Sequence, residues 1–120
     1  MKILYIDDNP IKSAVVMRQL KIFSKEIEKA STLNDAKEKI EETSYDLVIT
    51  DMWYPVDRGG KDHNSGEDLI NWMKDRGDET PIILISSIEY SFPVYGCLHY
   101  DDDENWDEQL KRLIRELLPN

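Results

Sequence analysis

Short apolar runs alternate along this chain with longer stretches in which apolar residues return every three or four positions. Repeated over five rounds, that alternation predicts strands joined by crossover helices into a parallel sheet. The first run, residues 2–6, ends at Asp7-Asp8 and is followed by Asn9-Pro10, an N-cap residue with proline at the first helical position. Ile11, Ala14, Val15 and Ile22 fall near one face of the helix that follows. Residues 26–30 form the weakest strand signal, with only Ile27 strongly apolar. Thr32 or Asn34 then caps a helix that turns Leu33, Ala36 and Ile40 inward and Lys37, Lys39, Glu41 and Glu42 to water.

The third run, residues 46–50, is continuous enough to be buried on both faces, and Asp51 closes it. Residues 52–64 are polar and turn-rich around Arg58-Gly59-Gly60-Lys61-Asp62. They are longer than an ordinary strand-to-helix connection and carry few apolar anchors, so a mobile or functional loop is expected. Ser65 with Asp68 resembles a capping box, and Leu69, Ile70 and Met73 supply the buried stripe of the next helix. Pro81 precedes a fourth strand, Ile82 to Ile85, which ends on Ser86-Ser87. Because residues 88–94 include Pro93, a helix there has a turn or two at most. A fifth strand, residues 95–99, precedes the acidic stretch 101–104 and a last helix with Trp106, Leu110, Leu113 and Leu117 at helical spacing. The fold class is therefore α/β, a doubly wound five-stranded parallel sheet with a shortened fourth helix.

Length and charge narrow the reading. With 120 residues, one domain spanning 1–120 is expected, with its function in one site and one surface. A net charge of -10 disfavours direct binding to nucleic acid. No apolar run is long enough for membrane insertion, and the amino terminus enters a strand with no leader-like segment, so a cytoplasmic location is expected. Cys97 has no partner for an internal disulfide and reads as a small buried hydrophobe.

The chemistry lies at the strand ends. If the first and third strands are adjacent and parallel, Asp7, Asp8 and Asp51 open into one crevice, where open α/β sheets bind their ligands. Two unit charges about 4 Å apart repel by roughly 4 kcal/mol at an effective dielectric near 20, so three carboxylates there ask for a hard divalent metal or shifted pKa values. His63 and His99 lack zinc-ligand spacing, Gly59-Gly60-Lys61 lacks the pattern of a phosphate-binding loop, and residues 62–66 place their glycine one position too early for a calcium loop.

Asp7-Asp8-Asn9, Asp51-Met52-Trp53-Tyr54-Pro55, Ser65-Gly66 and Ile85-Ser86-Ser87 together resemble the receiver domain of two-component response regulators over nearly the whole chain. The resemblance implies a flavodoxin-like (β/α)5 receiver fold and Mg²⁺ as cofactor. It implies Asp51 as phosphoacceptor, Asp8, Asp51 and the Trp53 carbonyl as metal ligands, Asp7 as holder of a metal-bound water, and Ser86 as a hydrogen-bond donor to the phosphoryl group. The expected partners are a histidine kinase or phosphotransfer protein and an unknown downstream protein, and the expected role is signalling rather than enzymic turnover. Trp53 reads either as a shield over the acyl phosphate or as an exposed loop aromatic.

The chain departs from the family pattern in three respects. No lysine follows the fifth strand, where residues 99–101 are His, Tyr and Asp. A charge-assisted hydrogen bond contributes on the order of 1.5–3 kcal/mol, so its loss costs about tenfold to over a hundredfold in rate or in switched population. The fourth helix is cut short, and the connection from Asp51 to Gly66 is long. Two readings follow: a stand-alone receiver phosphorylated on Asp51, and a degenerate receiver that binds proteins without phosphorylation. An aspartyl phosphohydrolase fits less well, because Trp53 stands where such enzymes carry a second carboxylate.

Overall fold

The computed structural model describes residues 1–118. Parallel strands β1 (Lys2–Ile6), β2 (Glu26–Ala30), β3 (Leu47–Thr50), β6 (Ile82–Ser86) and β7 (Gly96–His99) form one sheet in the order β2-β1-β3-β6-β7. Helices α1 (Pro10–Leu20), α2 (Leu33–Glu42), α3 (Ser65–Asp75) and α4 (Trp106–Leu117) cover its two faces. A two-stranded antiparallel ribbon, β4 (Tyr54–Pro55) with β5 (Asp62–His63), lies between β3 and α3.

Alternation along each central strand builds both layers. Leu4, Ile6 and Val48 pack with Leu33, Ala36, Leu69 and Met73, while Ile3, Tyr5, Leu47 and Ile49 pack with Val16, Leu20, Leu110 and Ile114. Both faces being apolar explains why these strands read as continuous runs. The strand order reverses between β1 and β3, so their carboxyl ends flank the crevice at the switch point.

Capping follows sequence at two helices and departs from it at a third. Asn9 Oδ1 accepts from the Ile11 and Lys12 amides, and Thr32 Oγ1 accepts from the Asp35 amide. The Ser65–Asp68 capping box does not form. Ser65 Oγ instead donates to the Tyr54 carbonyl at 2.5 Å, and Asp68 pairs with His63 at 2.6 Å, because the ribbon offers both side chains nearer partners.

Three further expectations are corrected. The buried face of α1 carries Lys12, Ser13, Val16 and Leu20, while Ile11 is 78% exposed and Ile22, beyond the helix, 63%. No helical turn forms between β6 and β7: residues 87–95 are irregular, since Pro93 lacks an amide donor and restricts the residue before it. The 52–64 connection is anchored rather than loose. Met52 and Tyr54 are fully buried, the Tyr54 hydroxyl meets Thr50 Oγ1 at 2.8 Å, and the Asn34 amide donates to the Val56 carbonyl at 3.1 Å.

Candidate functional site

Register brings the acids together. Ile6 faces Thr50 across β1 and β3, and the Asp51 amide donates to the Ile6 carbonyl at 2.9 Å, so Asp7 and Asp51 leave adjacent strands at the same level. Carboxylate oxygens of Asp7, Asp8 and Asp51 all lie within 4.8 Å of one another. Hard oxygen donors at that spacing suit a small divalent cation that keeps part of its water shell. The donor set therefore fits Mg²⁺.

Asp7 is fully buried and held on three sides. Its Oδ2 accepts from the Tyr5 hydroxyl at 2.7 Å, its Oδ1 accepts from the Asn9 amide at 3.0 Å, and the Lys12 ammonium stands 3.3 Å from Oδ2. Tyr5 and Asp7 are two residues apart at the end of one strand, so both point to the α1 side of the sheet. Burial, reinforced by the neighbouring carboxylate, pushes the Tyr5 hydroxyl far above its usual range, so it remains a donor.

Lys12 stands in the acid cluster and was not singled out from the sequence. It is only 5% exposed, and its Nζ lies 3.0 Å from Asp51 Oδ1 and donates to the Ile85 carbonyl at 2.8 Å. The Tyr100 ring lies 5.5 Å from the same ammonium. The available signal was its spacing with Val16 and Leu20, four residues apart on a helix, which puts all three on the buried face.

Asp51 is partly buried, and its Oδ1 accepts from the Met52 amide at 2.8 Å as well as facing Lys12. Burial raises its pKa; Lys12 opposes that rise and Asp7 adds to it. Asp8 is pushed up to about 6, first by desolvation and then by Asp62 and Asp7. Asp62 comes from the ribbon, so the long connection brings a further carboxylate beside the cluster.

Gly66 fixes the floor of the site. A Cβ there would sit 2.3 Å from the Asp51 carbonyl oxygen and 2.8 Å from the Met52 Cα, so only glycine lets α3 approach the end of β3 this closely. Ser86 is buried at the end of β6, where its Oγ accepts from the Ile88 amide at 3.4 Å. Trp53 is 42% exposed, and its indole N–H donates to the Tyr90 hydroxyl at 2.7 Å. That bond ties the β3 end to the irregular segment after β6. The histidines have other contacts: His63 pairs with Asp68, and His99 Nε2 meets the Ser87 carbonyl at 3.1 Å.

The sheet has the doubly wound, flavodoxin-like strand order, and the carboxylate cluster stands at its switch point. The sequence model of the response regulator receiver domain matches residues 3–103, and the chain belongs to that family. Comparison with curated protein sequences gives no match.

Solved structures agree on the fold. The response regulator TrrA of Thermotoga maritima, solved in complex with Mg²⁺ and beryllofluoride, is 27% identical with a TM-score of 0.76, over 98% of this chain and 100% of that one. The chemotaxis response regulator CheY4 of Vibrio cholerae is 21% identical with a TM-score of 0.73, over 98% of each chain. RcsB of Salmonella enterica, bound to a promoter, is 16% identical with a TM-score of 0.73 over 98% of this chain, which spans only 61% of that longer one.

Proposed function

We propose that this chain is a receiver that accepts a phosphoryl group on Asp51 from a histidine kinase or phosphotransfer protein and signals by protein contact. Family membership supports a phosphoacceptor signalling role in general. The observation that carries the specific reading is the meeting of Asp7, Asp8 and Asp51 within 4.8 Å at the ends of two adjacent strands.

In this reading Asp8, Asp51 and the Trp53 carbonyl would hold Mg²⁺, and Asp7 would hold a metal-bound water. The ion would supply positive charge against the phosphoryl oxygens during transfer. Asp51 Oδ1 is engaged by the Met52 amide and the Lys12 ammonium, so Oδ2 carries the attacking lone pair. A P–O bond forms as the P–N bond of the donor phosphohistidine breaks, and the imidazole nitrogen keeps the electron pair. Ser86 Oγ turns from the Ile88 amide to donate to a phosphoryl oxygen. Trp53, tied to Tyr90, shields the acyl phosphate from water.

The degenerate alternative has its own support. Lys12 already offsets part of the acid charge, and the segment between β6 and β7 carries no helix. Intact-mass measurement after incubation with Mg²⁺ and acetyl phosphate separates the two. One added phosphoryl group, absent from Asp51→Asn and from a magnesium-free control, is expected. An unmodified wild-type mass across donors contradicts the phosphoacceptor reading and favours the degenerate one.

A further inference from the structure

Receiver domains are expected to carry a lysine just after the last sheet strand, and this chain has no Lys or Arg between Arg76 and Lys111. An ammonium nevertheless stands against Asp51. We infer that Lys12, delivered from α1, is the cation that binds the phosphoryl group on Asp51, and that its movement is felt at Tyr100. This rests on the phosphoacceptor reading above.

The position is built rather than incidental. Asn9 caps α1 through the Ile11 and Lys12 amides, which fixes where the first turn begins. Val16 and Leu20 bury the same face, which fixes its rotation. Lys12 is thereby aimed across the end of β1, with its ammonium 3.0 Å from Asp51, 3.3 Å from Asp7 and 2.8 Å from the Ile85 carbonyl. A buried ammonium is costly unless anionic and carbonyl oxygens surround it, and here they do. The neighbouring Ile85 precedes Ser86, the other group offered to the phosphoryl oxygens.

Charge gives the group its purpose. Asp7, Asp8 and Asp51 against one ammonium leave two negative charges, and Asp62 stands beside Asp8 as a further carboxylate. Phosphorylation turns the Asp51 carboxylate into a more highly charged acyl phosphate, which draws the ammonium already at the site toward the phosphoryl oxygens. The Lys12 side chain is flexible and its three N–H donors suit a phosphoryl oxygen as a point charge. It keeps its protons throughout; the only bonds exchanged are the new P–O bond to Asp51 and the broken bond to the donor's leaving group, which departs with the electron pair.

In following the phosphoryl oxygens the ammonium leaves the Ile85 carbonyl and the Tyr100 ring. Tyr100 packs against Trp106, with ring centroids 4.9 Å apart, at the start of α4. The outcome of phosphorylation therefore reaches the β7–α4 junction through an α1 residue.

Beryllofluoride with Mg²⁺, titrated by Trp fluorescence into wild type, Lys12→Met and Lys12→Arg, tests this. Lys12→Met should lose on the order of tenfold to a hundredfold in beryllofluoride affinity while binding Mg²⁺ alone at least as well as wild type. Lys12→Arg should recover part of the loss. In wild type, the Lys12 ammonium and Tyr100 ring resonances should shift on beryllofluoride addition, a readout that stands even if Lys12→Met does not fold. Equal beryllofluoride binding by wild type and Lys12→Met, or unmoved Lys12 and Tyr100 resonances in a wild type that binds, overturns the inference alone. A wild type that neither binds beryllofluoride nor accepts phosphate overturns the phosphoacceptor reading and the inference together.

Discussion

The two ends of the switch-point crevice are built differently. On the β1–β3 side Asp7 is fixed by Tyr5, Asn9 and Lys12, Asp51 by Met52 and Lys12, and the β3 end by the close approach of Gly66. On the β6–β7 side the connection 87–95 is irregular, Ile88 stands exposed, and the lysine expected after the last strand is absent. An open groove of about 530 Å³ lies between Ile70, Lys74, Ile82, Val94 and Tyr95, and none of Asp7, Asp8 and Asp51 lines it. The contrast teaches that the chemical and connecting halves of such a site are separable. Here the cation belongs to the better-built half.

The sharpest way to break that comparison is to remove the cation. Lys12→Met leaves Asp7 buried without its charged partner, so unfolding free energy measured in chelator should fall by about 3–5 kcal/mol. Asp7→Asn in the same chain should restore much of it. A Lys12→Met variant as stable as wild type would show that the ammonium is not integral to the built half.

Crowding the floor should cost less. Gly66→Ala drives a Cβ into the Asp51 carbonyl and the Met52 backbone, and strain of about 1–3 kcal/mol is expected, with slower phosphorylation because Asp51 is displaced. Denaturant unfolding together with phosphorylation rate checks both effects. Loss of stability with an unchanged rate would place the strain in α3 rather than at the β3 end.

A smaller effect comes from Asp8. Its pKa is raised to about 6 in the folded chain, so between the ordinary carboxylate value and about 6 the native state holds a proton that the unfolded state has released. Stability without metal should accordingly fall as pH rises through that window and level off above it. Because Asp8 is exposed, the contribution is on the order of 1 kcal/mol after solvent screening. Asp8→Asn should flatten this fall and be the more stable protein above pH 6 in chelator. Thermal melts across pH 4 to 8 would show the sign, and a metal-free wild type that gains stability from Asp8 ionisation would contradict it.

The smallest effect belongs to the other half. Ile88→Ser, at an exposed site of the irregular segment, should change stability by less than about 0.5 kcal/mol. Amides of residues 87–95 should exchange with solvent faster than those of the ribbon, whose Tyr54 is buried and hydrogen-bonded. The reverse order would mean that the connection after β6 is the ordered element.

Much of this was legible in sequence because it depends on local signals. Continuous apolar runs marked the strands, Asn9-Pro10 marked the start of α1, and the acids at the strand ends marked the crevice. What was not legible depended on rotation and on long-range partners. Ile11 and Ile22 pointed to the wrong face of α1, because apolar character alone does not reveal that a lysine stem is buried while its ammonium meets carboxylates. The 52–64 connection looked loose because the burial of Tyr54 is not visible in its polar surroundings and the anchor of Val56 on Asn34 is made across the fold. Pro93 warned of a short helix, and the chain forms none there.

The central claim, that the phosphoryl-binding cation reaches Asp51 from α1, is tested most directly by a crystal structure with Mg²⁺ and beryllofluoride bound. Lys12 Nζ is expected within hydrogen-bonding distance of a fluorine, alongside Ser86 Oγ, and withdrawn from the Ile85 carbonyl. Beryllofluoride on Asp51 with Lys12 still on that carbonyl, and with His99 or Tyr100 against the fluorines instead, would contradict it.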